Sequence, residues 1–311
     1  MGSKVIIATI SGAVLLCVIG LIIAGHVAYV KIAAHEYAGQ GNAYLQQRNY
    51  SLAIAAYSKS LQLSPHQPRV LASRGFTFAQ LEICDQQAIL DYSTAITMLH
   101  GQDTGSLAYC AELHYYRALV YGDLHRDREE LVDLHSCLLP PPAGMRRSSR
   151  LFAEANNDIA WLLATSPDSS LRNGGEAVCY AQQAVTSARG TQLMAYCNDS
   201  LAAAEARVGQ YSIAMTKLQD SIALLDSIHD VNRSHDQQQR LQLYQQGKPY
   251  TAIYRNDGKS FTFHVGTPGH PDLQGIRDMR KQMLLHQQGK PHTAEYRNDK
   301  KSFTSKGDHL R

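Results

Sequence analysis

Residues 34–67 read AHEYAGQGNAYLQQRNYSLAIAAYSKSLQLSPHQ. Small and large residues recur in this stretch at helical spacing, with Gly41 in a first helical segment and Ala53 and Tyr57 on the packing face of a second. Small residues are needed where helix axes come close, and large ones where the axes diverge. Two antiparallel helices cannot bury their apolar stripes alone, so the pattern predicts units that stack and share a core.

The same arrangement returns one unit later, in residues 68–102. Gly75 follows Gly41 by 34 residues, and Tyr92 follows Tyr57 by 35, because one residue is inserted at the turn near 82–84. Self-similarity at a fixed period of this length is typical of helical repeat proteins. We therefore expect the second unit to pack against the first as another helix pair.

Further units follow with weaker similarity. A third covers residues 108–139 and ends at the prolines 140–142, since proline cannot continue a helix. Two more helix pairs are expected within 156–185 and 201–225, and a last helix at 235–246 would cap the array. The predicted fold is all-α, a solenoid of antiparallel helix pairs that occupies about two thirds of the chain.

The 34-residue unit resembles a tetratricopeptide repeat (TPR) along its length. Three residues depart from that pattern: Gln40 replaces an apolar residue, Arg48 the turn glycine and Ser60 the later alanine. Residues 156–250 are similar to the C-terminal repeats of certain bacterial TPR proteins, where an AWLLAT-PD stretch precedes L-x-x-Y-x-x-GKPY. The resemblance implies a non-catalytic scaffold that binds a partner protein or peptide on a concave face, formed by the first helix of each unit.

On that face the resemblance places seven groove residues, namely Asn42, Leu45, Gln46, Arg69, Phe76, Gln80 and Tyr115. Their mixed, modestly polar character suits a helix or an extended peptide that docks by shape. One TPR subclass grips a C-terminal carboxylate with lysine, asparagine and arginine side chains. Only Asn42 matches it here, because Ala38, Ser73, Glu112 and Tyr116 stand at the other positions, which argues against that clamp. The alternative, that each is an ordinary surface residue, stays open.

The N-terminal segment is long and uncharged. Residues 5–25 form a run of 21 without a charge, enough for a helix across the ~30 Å hydrocarbon core of a bilayer. A cleavable signal peptide is the alternative, but its apolar core is normally about 7–15 residues. We predict an uncleaved, single-pass membrane anchor. Lys4 and the terminal amine precede it, whereas Lys31 is offset by Glu36, so the positive-inside rule favours the non-cytoplasmic side for the bulk of the chain.

The predicted divisions are an anchor (1–30), about three TPR units (31–142), a linker (143–155), C-terminal repeats with a capping helix (156–247) and a duplicated basic tail (248–311).

The tail contains a tandem duplication. Residues 240–263 recur at 282–305 with 16 of 24 positions identical, and the sequence Asn256-Asp257-Gly258 predicts the turn of a small β-hairpin. From Arg277 onward, nine Lys or Arg residues oppose four acids, so a basic tail that binds anionic lipid or nucleic acid is an alternative function. The formal net charge of the chain is only +3, and no nucleic acid is expected.

The sequence contains no recognisable catalytic signature. Phosphate loops, nucleotide-binding fingerprints, HExxH and nucleophile elbows are missing, and the histidines and cysteines lack metal-site spacing. We therefore predict no catalytic site, no metal and no cofactor. A remaining alternative is an enzyme with a site in residues 248–311, where the dense polar residues are Tyr254, Arg255, Asp257 and Lys259.

Overall fold

The computed structural model describes residues 2–81, 84–100, 104–140 and 148–253. The predicted hairpin turn, the second copy of the duplication and the basic C-terminal residues lie outside this part of the chain. The described part is all-α, with eleven helices: α1 Gly2–Gln46, α2 Tyr50–Leu63, α3 Pro68–Ala79, α4 Asp85–Leu99, α5 Thr104–Asp123, α6 Asp127–Cys137, α7 Ser149–Thr165, α8 Gly174–Ser187, α9 Leu193–Arg207, α10 Tyr211–Ser227 and α11 Val231–Gln245.

The helices pack as antiparallel pairs. In each pair the first helix contacts the next one along the chain: α1 with α2, α3 with α4, α5 with α6, α7 with α8, and α9 with α10, while α11 packs on α10. The first helices of successive units also touch, α1 with α3, α3 with α5, α5 with α7, and α7 with α9. They form one shared face, which we call the inner face, and the all-α solenoid expected from the sequence is confirmed.

Close packing within the first pair depends on Gly41. A Cβ atom on this glycine would lie 2.5 Å from the ring of Tyr57, which is fully buried on α2. Ser60, at a position where alanine is usual, is accommodated because its hydroxyl donates a hydrogen bond of 2.7 Å to the Ala34 carbonyl. Ser221 makes the same bond to Ala195 at 2.6 Å, so the α9–α10 pair repeats this solution.

Five of the helix ends in the described part of the chain share one turn geometry. At the end of α1, Arg48 has a φ of +59°. The Arg48 N–H donates to the Leu45 carbonyl, and the Asn49 N–H donates to the Tyr44 carbonyl. This is a Schellman motif, in which glycine is the usual left-handed residue. The same pair of bonds closes the helices before His125, Gly209, His229 and Gly247. Arg48 therefore carries strain of about 1–2 kcal/mol that glycine would not.

The C-terminal half has an alanine-rich core. Buried alanines on α7, α8 and α9, such as Ala160, Ala181 and Ala203, let these three helices approach closely. α7 begins at Ser149, and the Ser148 side chain caps it by accepting a hydrogen bond from the Leu151 N–H. The second half of the segment expected to be a linker, 143–155, is thus helical.

α1 joins the apolar segment to the first repeat without interruption. It has 45 residues, a length of ~68 Å at about 1.5 Å per residue. The part from Cys17 to Gln46 is long and apolar enough to cross a membrane, judged by length and composition alone. Its large apolar side chains, including Leu21, Ile22 and Ile23, are exposed rather than packed against the array.

Candidate partner-binding face

Six of the seven predicted groove residues are exposed or half-buried, on α1 or on α3 and its C-cap. On α1, Asn42 and Gln46 are exposed and Leu45 is half-buried. The Tyr57 hydroxyl donates a hydrogen bond of 2.8 Å to Asn42 Oδ1, which fixes the asparagine side chain at the edge of the first pair. Asn42 and Gln46 are therefore accessible polar side chains on α1, and that of Asn42 is held in place.

The α3 groove residues follow one side of their helix. Arg69 and Phe76 are seven residues apart, about two turns, and Gln80 follows at the C-cap, where its N–H bonds back to Phe76. Arg69 and Phe76 are exposed, and Gln80 is half-buried. The Arg69 guanidinium lies over the ring of Tyr109, on α5, at 5.1 Å from its centroid.

An aromatic patch, formed by Phe76, Tyr109 and Tyr116, joins α3 to α5. Phe76 is 36 % exposed and Tyr116 39 %, and their ring centroids lie 6.2 Å apart in an edge-on arrangement. Buried Tyr92 lies beneath the patch, stacked on Tyr116 with centroids 6.2 Å apart. Such T-shaped and stacked pairs hold rings in defined orientations, so this patch is an ordered apolar surface.

The patch is uncharged at neutral pH. Burial raises the pKa of Tyr109 to about 12, although the nearby Arg69 charge acts in the opposite direction. Burial, together with the carboxylates of Glu112 and Glu154, also raises the pKa of Tyr116. Both phenols are therefore protonated and able to donate hydrogen bonds at the edge of an apolar surface.

The structure places Tyr115 in the interior instead of on this face. Its side chain is 4 % exposed, and its hydroxyl donates a hydrogen bond of 3.0 Å to Asp158 on α7. Consecutive residues of a helix point about 100° apart, so only one of Tyr115 and Tyr116 can face outward. Tyr116 is the outward residue. Tyr115 supports the inner face from beneath by joining α5 to α7.

Two arginines, absent from the sequence-based groove, brace the helices behind this face. Arg117 on α5 makes two hydrogen bonds of 2.7 Å to Asp133 on α6 and one of 2.7 Å to Ser93 on α4. Arg74 on α3 repeats this pattern one unit earlier, with Asp91 at 2.8 Å and Ser58 at 3.0 Å. Each arginine thus fixes a first helix to its own partner and to the preceding unit.

Asp133, the carboxylate partner of Arg117, is stabilised in its charged form. Burial by itself raises the pKa of Asp133, but the hydrogen bonds from Arg117 and His114 outweigh this effect and lower it. An arginine that donates two parallel hydrogen bonds to one carboxylate fixes the relative orientation of the two side chains. A signal for these braces existed in the sequence, because Arg74 and Asp91 are 17 residues apart and Arg117 and Asp133 are 16 apart.

At the other end of the array, the AWLLAT and GKPY stretches meet in space. The Tyr250 and Trp161 rings lie 5.9 Å apart, and the Arg240 guanidinium lies over both, at 5.5 Å and 5.3 Å from their centroids. The Ala252 N–H bonds to the Thr165 carbonyl at 2.8 Å, and Arg207 donates to the Tyr250 carbonyl. Residues 248–253 therefore form a strap across the ends of α7 and α9.

Residues 41–82 match the family model described as TPR repeat. The chain thus contains a TPR unit at its first and second helix pairs, and the later pairs repeat that architecture. A comparison with curated proteins finds no sequence match.

Solved structures similar to this chain include the MamA protein, at 14 % identity and a TM-score of 0.48, with 64 % of this chain and 94 % of that one covered. PilF of Pseudomonas aeruginosa is 18 % identical, with a TM-score of 0.44 and coverage of 70 % and 93 %. The TPR2AB domain of yeast Sti1, solved in complex with pHSP90, is 13 % identical, with a TM-score of 0.31 and coverage of 69 % and 98 %. All three TM-scores are below 0.5.

Proposed function

We propose that this chain is a non-catalytic scaffold that is held at a membrane by residues 5–25 and binds a partner protein on its inner face. The observation that carries the proposal is the aromatic patch of Phe76, Tyr109 and Tyr116, where α3 meets α5, in which Phe76 and Tyr116 are exposed and Tyr109 is half-buried. Exposed apolar surface with a polar border is characteristic of protein interaction sites, and aromatic residues often supply most of the binding energy.

The chemistry of the face favours a helix or extended peptide that inserts an apolar side chain. Phe76 and Tyr116 offer rings in fixed positions, which lose little conformational entropy on binding. Asn42 and Gln46 on one border and Arg69 on another offer hydrogen bonds to the partner's backbone. Gln80 and Leu45 complete the proposed contact, and Tyr115 contributes from beneath by holding α5 against α7.

Membrane attachment is supported by the continuity of α1. The predicted span ends at Gly25, and Ala34 is already buried against the first repeat, so about 14 Å of helix separates them at about 1.5 Å per residue. The exposed apolar residues of α1 are those expected to face lipid. The bulk of the chain is proposed to lie on the non-cytoplasmic side, which rests on the charges that flank the span.

The test is proximity labelling in membranes with the full chain and two double variants. Phe76→Ala/Tyr116→Ala removes the patch, whereas Leu90→Ala/Val132→Ala removes two apolar residues that are 65 % and 64 % exposed on α4 and α6. A partner that binds the inner face should label at least about tenfold less with the patch variant, a loss of about 1.4 kcal/mol, and normally with the control. Equal labelling by all three chains would assign binding to another surface.

A further inference from the structure

A separate pocket lies on the inner face of the C-terminal half. It is formed by α7, α9 and α11, with Trp161 and Tyr196 as aromatic walls, and Asn157, Asp199, Gln237 and Arg240 as its polar lining. The pocket is partly open to solvent, and its cavity volume is about 20 Å³. A space of this size holds one water molecule or the end of one small polar group that enters from the open side, not a ring.

The polar lining contains atoms that lack hydrogen-bond partners within the described part of the chain. They are three acceptors, Asn157 Oδ1, Asp199 Oδ1 and Gln237 Oε1, and one donor, Arg240 Nε. Asn157 is 4 % exposed, Gln237 2 % and Arg240 5 %. Because an unpaired buried polar group costs about 1–3 kcal/mol, such a cluster indicates a place for a ligand group.

The orientation of both amides follows from their neighbours. Asn157 Nδ2 donates to the Asp158 carboxylate at 3.2 Å, and the Gln237 side chain donates to the Asp199 carboxylate. Since an ionised carboxylate only accepts, each amide must turn its nitrogen toward it and its oxygen away. Both amide oxygens are therefore fixed as free acceptors.

Charge selects among the ligand groups that could fill the pocket. Asp199 contributes one negative charge, while Arg240 and Arg233 contribute two positive charges. The Arg240 guanidinium lies 2.5 Å from Asp199 Oδ2, and Arg233 lies 3.5 Å from Asp230 Oδ2, so the charges around the pocket are balanced and a neutral ligand group is favoured over an ammonium. A carboxylate would face three acceptor oxygens. A primary carboxamide is neutral, donates two N–H bonds and accepts one, which matches the unpaired atoms.

We propose that this pocket binds the side-chain carboxamide of an asparagine or glutamine in a partner polypeptide. The carboxamide N–H groups bond to two of the three free oxygens, and its carbonyl accepts from Arg240 Nε. The aromatic walls of Trp161 and Tyr196 contact the methylene groups behind it. This site is on other repeats than the aromatic patch and does not rest on the function proposed for that patch.

Trp161 is the one tryptophan of the chain and lines this pocket, so its fluorescence responds to occupation of the pocket. The full chain in detergent is titrated with N-acetyl-glutamine N-methylamide and with the corresponding glutamate, lysine and norvaline compounds. The N-methyl cap avoids a second primary amide. We expect a saturable change with the glutamine compound and binding at least tenfold weaker for the other three. The proposal is overturned if the glutamine compound gives no saturable change, which is the result expected if the pocket holds only water. It is also overturned if any of the other three compounds binds as tightly as the glutamine compound or more tightly.

A variant pair tests the same site from the protein side. Gln237→Leu removes a free acceptor and should weaken binding of the glutamine compound at least tenfold, whereas Gln239→Leu, on the exposed side of α11, should not. Circular dichroism checks that both variants are folded. Unchanged affinity in a folded Gln237→Leu chain would refute the assignment, and if that variant does not fold, the compound series decides by itself.

Discussion

The ring of Tyr57 occupies the space into which any side chain on Gly41 would extend, with 2.5 Å between its ring atoms and the Cβ position. Tyr57 cannot withdraw easily, because it is fully buried and its hydroxyl is bonded to Asn42. The close approach of α1 and α2 therefore depends on this contact between a glycine and a tyrosine. The hydrogen bond from Tyr57 in turn fixes the side chain of Asn42.

Replacing Gly41 by alanine should lower the free energy of unfolding by about 1–3 kcal/mol, through overpacking against Tyr57. Gly39→Ala is the matched control, because no atom lies within 4 Å of its Cβ position. That change should be neutral or add up to about 1 kcal/mol, from the higher helix propensity of alanine. Denaturant unfolding followed by circular dichroism measures both, and equal effects would show that the contact is not limiting.

Replacing Arg48 by glycine should stabilise the chain by about 1 kcal/mol, because its φ of +59° is costly for every residue with a Cβ atom. Arg48→Ala separates the backbone effect from loss of the side chain, since alanine keeps the strain. Thermal unfolding of the two variants gives the comparison. A gain in the alanine variant as large as in the glycine variant would assign the effect to the arginine side chain.

Replacing Arg117 by leucine should cost about 3–5 kcal/mol at neutral pH, because it leaves buried Asp133 charged and without its main partner. Arg128→Leu is the control. Its ion pair with Asp168 is largely exposed, so its removal should cost less than about 1 kcal/mol. Urea titrations at one pH measure both changes, and a similar small cost for each would contradict the proposed bracing role.

The same brace predicts a pH dependence. The folded-state pKa of Asp133 is lowered, so its stabilising contribution is complete above the ordinary aspartate pKa of about 3.9 and is lost as pH falls through the lowered value. Without Arg117, burial should raise this pKa, and the variant's deficit should narrow as pH falls from 7 toward 4. A deficit that stays constant over this range would contradict the assignment.

Chains that end after residue 246 and after residue 253 test the strap. The shorter chain loses the Tyr250 contact with Trp161 and two partners of Arg207, whereas the longer one keeps them. We expect the shorter chain to melt several degrees lower and its tryptophan emission to shift to longer wavelength as water reaches Trp161. The chain ending at 253 should match the full chain, and a match by both would exclude a structural role for the strap.

The repeat spacing predicted much of this fold because the packing it encodes is local. Gly41 and Tyr57 meet within one unit, and the position of each follows from the 34-residue pattern. Tyr115 was expected on the groove, yet it is buried while Tyr116 is exposed. The third unit is degenerate, so the sequence does not define the rotation of α5, and an error of one residue turns a side chain by about 100°.

Contacts between distant residues were harder to predict. The resemblance to bacterial TPR proteins includes both the AWLLAT and the GKPY stretches, but Trp161 and Tyr250 are 89 residues apart and their contact depends on how α7, α9 and α11 stack. The pocket beside them requires Asp199 and Gln237 from two further helices. A sequence period within one repeat does not show which residues of α7, α9 and α11 lie next to one another in the folded array.

The unbroken α1 has a mechanical consequence. A repeat array on a flexible linker could turn freely and present its inner face in every direction. Here the first helix of the first repeat is the C-terminal part of α1, the same rod-like helix that is proposed to cross the bilayer. The tilt and rotation of that rod then set the direction from which a partner can approach, so a partner in the same membrane and one in solution meet different geometries before any side chain makes contact.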